Sequence, residues 1–210
     1  MKTDFAAKEA WDADPAAFFK ALTGEELSDW RSERLELSQV LFRLADRVYT
    51  ARFADGVERL VLVEVQAQND VSMLARLLVY LGLLLALLFS TRKKWYPPRA
   101  YVLYIGAEPF TAPTEINEPG HHFFRPTYIN VRNVPYRNFL ELKHPSQVVF
   151  AILSDDAKDR EDVAVEVIRK VGELTRNNPK EREKHLLTLV RFSRFRNMEK
   201  MIAALLEREW

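Results

Sequence analysis

Two neighbouring stretches in the first third of the chain, residues 45–53 (ADRVYTARF) and 57–66 (VERLVLVEVQ), are rich in branched and aromatic residues. Such runs, interrupted by polar side chains at short intervals, are typical of β-strands. Asp55-Gly56 lies between them, and this dipeptide is a strong signal for a tight hairpin turn. The pattern therefore predicts an antiparallel pair of strands.

Helical patterns and further short strands surround this hairpin. Helices are predicted over 4–23 with a break at Asp14-Pro15, as a turn over 25–31, and over 71–90, 145–153 and 157–176. A last helical stretch is predicted over 180–208, either continuous or with one interruption. Strands are predicted over 34–39, 99–107 and 128–134, and a proline-rich loop or irregular hairpin over 108–127. This order predicts an α/β fold, with a mixed central β-sheet flanked by helices over 1–155 and a C-terminal helical region over 156–210.

The helix predicted over 71–90, with Asn69-Asp70 as its N-cap, is apolar on every side, and residues 77–90 carry no charge. A membrane span needs about 20 apolar residues, and shorter runs are more often buried core helices. We therefore expect no membrane span. A helix that is apolar all round must be buried on several sides, by a sheet, by other helices or in a homodimer interface.

Composition narrows the possible chemistry. The chain of 210 residues has no cysteine, which excludes a disulfide framework, a thiolate nucleophile and a cysteine zinc site. The absence of cysteine fits a cytoplasmic protein, and the early acidic residues Asp4 and Glu9 do not fit a signal peptide. The net charge is only +1, but residues 1–40 carry −4 and residues 41–154 carry +4. The basic central part of the chain, residues 41–154, is therefore the part suited to binding phosphate groups.

The register of the hairpin decides whether two of its acidic side chains meet. A two-residue turn at 55–56 places Asp46 beside Val65 and away from Glu64. A three-residue loop over 54–56 places Asp46 directly opposite Glu64, on the same face of the sheet. Glycine at the third loop position is what the three-residue loop requires, so we favour this second register.

Two facing carboxylates about 5 Å apart repel each other unless a proton or a cation lies between them. Asp46 and Glu64 would therefore suit a hard divalent ion such as Mg²⁺, which binds carboxylates, water and phosphate oxygens. Gln66 shares the face of Glu64 and could orient a water molecule. In the alternative interpretation, the carboxylates form a structural pair neutralised by Arg47 or Arg43, or lie on an exposed polar face.

Arg76 and Tyr80 are one helical turn apart and share a face of the apolar helix. In a functional interpretation, Arg76 contacts a phosphate and Tyr80 donates a hydrogen bond to Glu64 or Gln66. In a structural one, Arg76 is a buried counter-ion for Asp46 or Glu64, and Tyr80 only packs. An arginine on an apolar helix needs a partner in either case, because an unpaired buried charge is costly.

The strand hairpin and the apolar helix after it together carry a sequence motif, which consists of Asp46, Glu64-x-Gln66 and Arg76-x-x-x-Tyr80. This motif resembles that of the PD-(D/E)XK nuclease superfamily, and within it that of the Rpn group of recombination-promoting nucleases and transposase-like proteins. The resemblance implies a restriction-endonuclease-like αβββαβ core. It also implies a DNA endonuclease connected with recombination or mobile elements.

The resemblance covers roughly residues 4–155 and assigns roles to individual positions. It implies that Asp46, Glu64 and the backbone carbonyl of Val65 bind Mg²⁺, for which Mn²⁺ can substitute, and that Gln66 is the third catalytic side chain. Gln66 stands where the superfamily usually has lysine, so the positive charge beside the attacking water is missing. The implied reaction is hydrolysis of a DNA phosphodiester bond that leaves a 5′-phosphate.

Two other functions stay open. The missing lysine is compatible with a nuclease-fold protein that binds nucleic acid with little or no cleavage, and a structural carboxylate pair is compatible with a protein-interaction module. Residues 92–96 and 191–196 interleave basic and aromatic side chains, as surfaces that contact DNA do. The same segments also fit a basic helix end and an amphipathic helix.

Overall fold

The computed structural model describes residues 2–32, 47–118 and 121–209. The helices within these ranges are α1 (Lys2–Ala13), α2 (Pro15–Thr23), α3 (Met73–Arg92), α4 (Tyr136–Leu140), α5 (Pro145–Val148), α6 (Glu161–Leu174), α7 (Pro179–Ser193) and α8 (Glu199–Glu209). The strands are β1 (Leu27–Ser32), β2 (Arg47–Phe53), β3 (Glu58–Gln66), β4 (Pro98–Tyr104), β5 (Ile116–Glu118), β6 (His121–Phe124) and β7 (Thr127–Asn130). Short 3-10 turns occupy 131–133, 149–153, 155–157 and 194–196.

Five strands form one mixed sheet in the order β1-β2-β3-β4-β7, and β5 and β6 form a separate hairpin. Strands β1, β2 and β3 are antiparallel neighbours, whereas β3 and β4 are parallel and are joined through α3. A parallel pair needs such a crossover connection, because the chain must return to the same end of the sheet. The predicted α/β fold class with a mixed sheet flanked by helices is confirmed.

The β2–β3 hairpin has the register that we favoured. Arg47 lies opposite Val63, and Arg52 lies opposite Glu58. The loop contains three residues, and its last residue, Gly56, has a left-handed φ of 77°. The local turn chemistry therefore fixed the register, as the sequence predicted.

Asp55 stabilises this loop through its side chain. Its carboxylate accepts a hydrogen bond of 2.9 Å from the backbone N–H of Val57 and two from the Arg59 guanidinium, of 2.8 and 2.5 Å. The hydrogen bonds from Arg59 are the main reason that the pKa of Asp55 lies well below its usual value, and the hydrogen bond from the Val57 N–H is the second reason. The turn therefore keeps an ionised carboxylate at neutral pH.

Replacing Gly56 with alanine is expected to destabilise the protein by about 1–2 kcal/mol, because a Cβ disfavours the left-handed conformation. Gly56→Asn is expected to cost less, since asparagine tolerates positive φ better than alanine. Urea unfolding of both variants checks the prediction. Equal stability of wild type and Gly56→Ala would show that the loop can adopt another turn.

Helix α3 packs on the face of the sheet that carries Leu60 and Leu62 of β3. It contributes a row of buried side chains: Met73, Leu74, Leu77, Tyr80, Leu81, Leu84 and Leu88. Within the described part of the chain, α3 is the one helix that is long and apolar enough to cross a membrane. One side of α3 belongs to this core, but its other side is exposed, so the expected burial on several sides is found on one side only.

One predicted helical turn is wrong. Residues 25–31 were expected to be helical, but Leu27–Ser32 forms strand β1, which pairs with β2. The Trp30 ring contacts Tyr49 of β2 edge to face, with 5.9 Å between ring centroids. Pairing with a neighbouring strand overrides the local preference of such a short segment. The strand predicted over 34–39 lies outside the described residues.

The chain divides into two compact units. One contains residues 1–24, 105–107 and 130–210, and the other contains residues 25–104 and 108–129. In the first unit, the side-chain amide of Gln147 donates hydrogen bonds of 2.8 and 3.0 Å to the carbonyls of Ala10 and Asp14. The N-terminal helices therefore pack with the C-terminal helices, and these units do not follow the boundary predicted between residues 155 and 156.

Candidate functional site

Glu64 is a buried carboxylate near the end of β3, with 8% of the residue exposed. Alternation along the strand places it on the face of Leu62 and beneath α3. The side-chain amide of Gln66 donates a 3.2 Å hydrogen bond to Glu64 Oε1. Val65 points to the opposite face. The structure thus brings together Glu64 and Gln66, as the sequence predicted from their spacing.

Arg76, in the first turns of α3, forms an ion pair with Glu64. One terminal nitrogen of the guanidinium lies 3.6 Å from Glu64 Oε1, and the other lies 2.8 Å from Asp70 Oδ2. The side chain is 39% exposed. Arg76 is therefore the counter-ion that one interpretation expected, but it is half-exposed rather than buried, and it can reach a ligand in solvent.

Asp70 is a member of the site that sequence reasoning missed. It was predicted, with Asn69, as the helix N-cap, but α3 begins at Met73. Asp70 Oδ1 accepts hydrogen bonds from the Ser72 hydroxyl at 2.7 Å and from the Ser72 backbone N–H at 2.8 Å. These bonds, with Arg76 nearby, lower the pKa of Asp70. No sequence signal indicates the ion pair between Asp70 and Arg76, because side chains six residues apart do not face each other on a helix.

Asn69 fixes the connection between β3 and α3 to the loop that follows β4. Its side-chain amide donates a 2.9 Å hydrogen bond to the carbonyl of Pro109, and its Oδ1 accepts 2.7 and 3.2 Å bonds from the N–H groups of Thr111 and Ala112. Since Asp70 follows Asn69 directly, these bonds also hold Asp70 and Arg76 near Glu64.

Tyr80 and Asp46 complete the predicted set. Tyr80 is buried in the apolar cluster between α3 and the sheet, and its hydrogen bond to Glu64 or Gln66 stays a prediction. Asp46 lies outside the described residues, so its position opposite Glu64 also stays a prediction. The register that this position requires is present in β2 from Arg47 onward.

The basic segment at 92–96 lies away from Glu64. Lys94 Nζ is 2.5 Å from the carboxylate of Glu58, which precedes Glu64 by six residues on β3, or about 20 Å along the strand. Arg92 lies over the ring of Tyr96. The basic segment therefore does not belong to the group of side chains around Glu64.

The segment at 191–196 is largely structural. The Phe192 ring is fully buried. Arg196 is 2% exposed, and its guanidinium donates two hydrogen bonds to the carbonyl of Leu153. A buried arginine that is committed to a backbone carbonyl cannot bind a phosphate, so Arg196 is structural, and a DNA contact through the rest of the segment stays a prediction.

A second cluster of possible metal ligands joins α1 and α7. Oxygens of Glu9 and Glu181 and a ring nitrogen of His185 all lie within 4.8 Å of one another. Lys184 Nζ lies 2.5 Å from Glu9 Oε1 and 3.5 Å from Glu181 Oε2. Because the ammonium group of Lys184 already forms an ion pair with each carboxylate, the cluster is explained as a structural ion-pair network.

We expect stability to fall below about pH 6.5. Burial lowers the pKa of His185 and of His144, whose rings lie 6.0 Å apart, against the opposing influence of Glu9 and Glu181. Below the unfolded pKa, the unfolded chain therefore binds more protons than the folded chain, and the free energy of unfolding decreases as pH falls. The decrease stops once pH is below the folded pKa values.

Urea unfolding at a series of pH values from 8 to 5 measures this dependence, whose slope is at most about 1.4 kcal/mol per pH unit for each imidazole. His185→Asn, compared with wild type over the same series, should flatten the curve. An unchanged slope in this variant would contradict the assignment to His185.

Comparison of the chain with protein-family models, with curated proteins and with solved structures finds no match. The membership of a nuclease family, like the cytoplasmic location, therefore stays a prediction from the sequence. The geometry around Glu64 is the basis on which a function can be proposed.

Proposed function

We propose that this protein is a divalent-metal-dependent DNA endonuclease of the PD-(D/E)XK type. The observation that supports this most is the Glu64 carboxylate, nearly buried on the face of the sheet between the amide of Gln66 and the half-exposed guanidinium of Arg76. Extending the observed β2–β3 register by one residue would set Asp46 opposite Glu64. A connection with recombination or mobile elements rests on the family resemblance alone.

The order of elements is compatible with the proposed family. Helix α2 is followed by the antiparallel strands β1, β2 and β3, then by α3 and by β4, which is parallel to β3. This order is compatible with the αβββαβ core that the resemblance implies, and that core is part of the proposal. Glu64 lies near the end of β3, where the chain leaves the sheet to form α3.

The donors at this position fit Mg²⁺ or Mn²⁺. Hard divalent cations prefer oxygen ligands, and Glu64 supplies a carboxylate whose Oε1 lies 3.6 Å from the guanidinium of Arg76. We propose Asp46, Glu64 and the Val65 carbonyl as the groups that hold the ion. A bound ion would lower the pKa of a water molecule and neutralise charge on the phosphorus centre.

The side chains around Glu64 would prepare the site for a phosphodiester. The Gln66 amide fixes the orientation of the Glu64 carboxylate, but it is neutral and cannot replace the charge of a lysine. Arg76 supplies a positive charge, and its planar guanidinium suits bidentate contact with phosphate oxygens. The other terminal nitrogen of Arg76 lies 2.8 Å from the Asp70 carboxylate, and this ion pair keeps Arg76 directed at the site.

Incubation of the purified protein with supercoiled plasmid and Mg²⁺ or Mn²⁺ tests the proposal. We expect nicked and linear DNA, no cleavage in EDTA, and loss of cleavage in both Asp46→Ala and Glu64→Ala. If the protein binds DNA without cleaving it, and if this binding needs no metal and survives both substitutions, the protein is instead a nucleic-acid-binding protein. Neither binding nor cleavage would favour the interaction module.

A further inference from the structure

The outward side of α3 is an exposed apolar face. Val79 is 55% exposed, Leu83 41% and Phe89 54%. The exposed positions at its centre are spaced alternately four and three residues apart, and they are Ala75, Val79, Gly82, Ala86 and Phe89. This spacing is the heptad pattern by which one helix packs along another. We name these five residues, with Leu83 at their edge, the α3 seam.

A membrane is a poor partner for the α3 seam. To span a bilayer, α3 would have to leave the sheet and expose Leu60 and Leu62, which are fully buried beneath it. A helix that lies in the membrane surface carries basic residues along its polar side. The opposite side of α3 is instead the apolar core, and apart from Arg76, which is paired with Asp70, its basic residues lie at one end, at 92–94.

The seam is complementary to itself when a second copy runs antiparallel. A two-fold axis at Gly82 places Phe89 of one chain level with Ala75 of the other, and Val79 within one residue of Ala86, so each large side chain lies near a small one. Parallel chains would place Phe89 against Phe89 and Ala75 against Ala75, which gives a clash and a gap. A Cβ at Gly82 would meet no atom within 4 Å, so the centre of the seam is open to a partner.

Charge at the ends of α3 favours the same arrangement. Asp70 precedes the helix, and Arg92, Lys93 and Lys94 end it, with no acidic residue between. Antiparallel copies centred on Gly82 keep the two basic ends apart and bring each of them near the Asp70–Arg76 ion pair of the other chain, and their helix dipoles also oppose favourably. Parallel copies would bring the two basic ends together. An interface in which the same patch meets itself is the usual form of a two-fold dimer.

We propose that two copies of this chain form an antiparallel dimer through the α3 seam. The proposal is independent of the nuclease assignment, because Glu64 is not part of the seam. The small area of a single helix pair, compared with about 800 Å² per partner in a standard interface, indicates a dimer that dissociates on dilution.

Sedimentation velocity of the full chain over a hundredfold range of concentration tests the dimer. We expect the mass to rise with concentration from 24.5 kDa towards about twice that value. Val79→Glu and Phe89→Glu should each remain monomeric, because each would bury an unpaired charge in an apolar seam. Leu187→Glu is the matched control, since Leu187 is an equally exposed leucine on α7, and it should dimerise as wild type does.

Cysteine cross-linking tests the direction of the helices, and the chain has no natural cysteine. Gly82→Cys should give a covalent dimer on mild oxidation, because the two residues meet at the axis. Phe89→Cys alone should not, but a mixture of Phe89→Cys and Ala75→Cys should give the heterodimer. Efficient cross-linking of Phe89→Cys alone would overturn the antiparallel arrangement.

Three other results would overturn the proposal. They are a monomer at all concentrations, a dimer that persists in both glutamate variants, and a monomer that instead binds phosphatidylcholine–phosphatidylserine vesicles through the seam. Circular dichroism of each variant, with a spectrum like that of wild type, excludes misfolding as the reason for a monomer. Because Val79 and Phe89 are exposed, the monomer should tolerate both substitutions.

Discussion

Replacing Glu64 with glutamine is expected to reduce Mg²⁺-dependent DNA cleavage by at least about 100-fold, since even residues that only support metal ligands contribute 10- to 100-fold. Glutamine has nearly the same shape as glutamate but no negative charge, so it removes the attraction for the cation. Arg76 keeps its 2.8 Å ion pair with Asp70, and it is half-exposed, so the variant should remain folded. Cleavage rates at saturating Mg²⁺, with thermal unfolding in parallel, measure both effects.

Glu58→Gln is the matched control for this experiment. Glu58 lies on the same strand and the same face as Glu64, and its carboxylate is paired with Lys94. It is about 20 Å from Glu64, so it should not affect metal binding there. We expect wild-type cleavage from this variant. If both variants cleave equally well, Glu64 is a structural carboxylate and the proposed function is wrong.

Phe150→Ala is expected to have the largest effect on stability, about 3–5 kcal/mol, which is typical of a phenylalanine deleted from a core. Phe150 is fully buried, and its ring contacts Phe18 and Phe192 edge to face, with centroids 5.0 and 4.9 Å away. These contacts join the N-terminal helix α2 to the C-terminal helix α7. Removing the ring leaves a cavity among three elements that are distant in the sequence.

Urea unfolding of Phe150→Ala, Phe150→Leu and Trp95→Ala measures this effect. Phe150→Leu keeps most of the buried volume and should cost less than the alanine variant. Trp95 is exposed, so Trp95→Ala should change stability by no more than about 0.5 kcal/mol. If Phe150→Ala is no more destabilising than Trp95→Ala, the aromatic cluster does not hold the termini together.

The hairpin shows what local chemistry can predict. Gly56 supplies the left-handed residue of a three-residue loop, and this one preference sets every pair from Arg47–Val63 to Arg52–Glu58. Strand β1 shows the opposite case. Residues 25–31 have no strong pattern of their own, and only pairing with β2 makes them extended, so the sequence prediction of a helical turn failed.

The candidate site likewise contains contacts that the sequence predicts and contacts that it does not. Glu64 and Gln66 share a face because side chains alternate along a strand, and this could be predicted. The contact between Arg76 and Glu64 was one of two open interpretations, because it depends on where α3 lies on the sheet. The ion pair of Arg76 with Asp70 could not be predicted, since it arises from the turn that Ser72 and Asn69 stabilise.

The sequence by itself determined the properties that depend on neighbours in the chain, which are the α/β class, the hairpin register, the apolar character of α3 and the shared face of Glu64 and Gln66. Tertiary structure alone decided which side of α3 is covered, that Arg196 is buried, and that the N-terminal helices pack with the C-terminal ones. The reason is physical. Turn and strand geometry follow from short-range sterics, whereas burial and ion pairing depend on segments that meet only after the chain has folded.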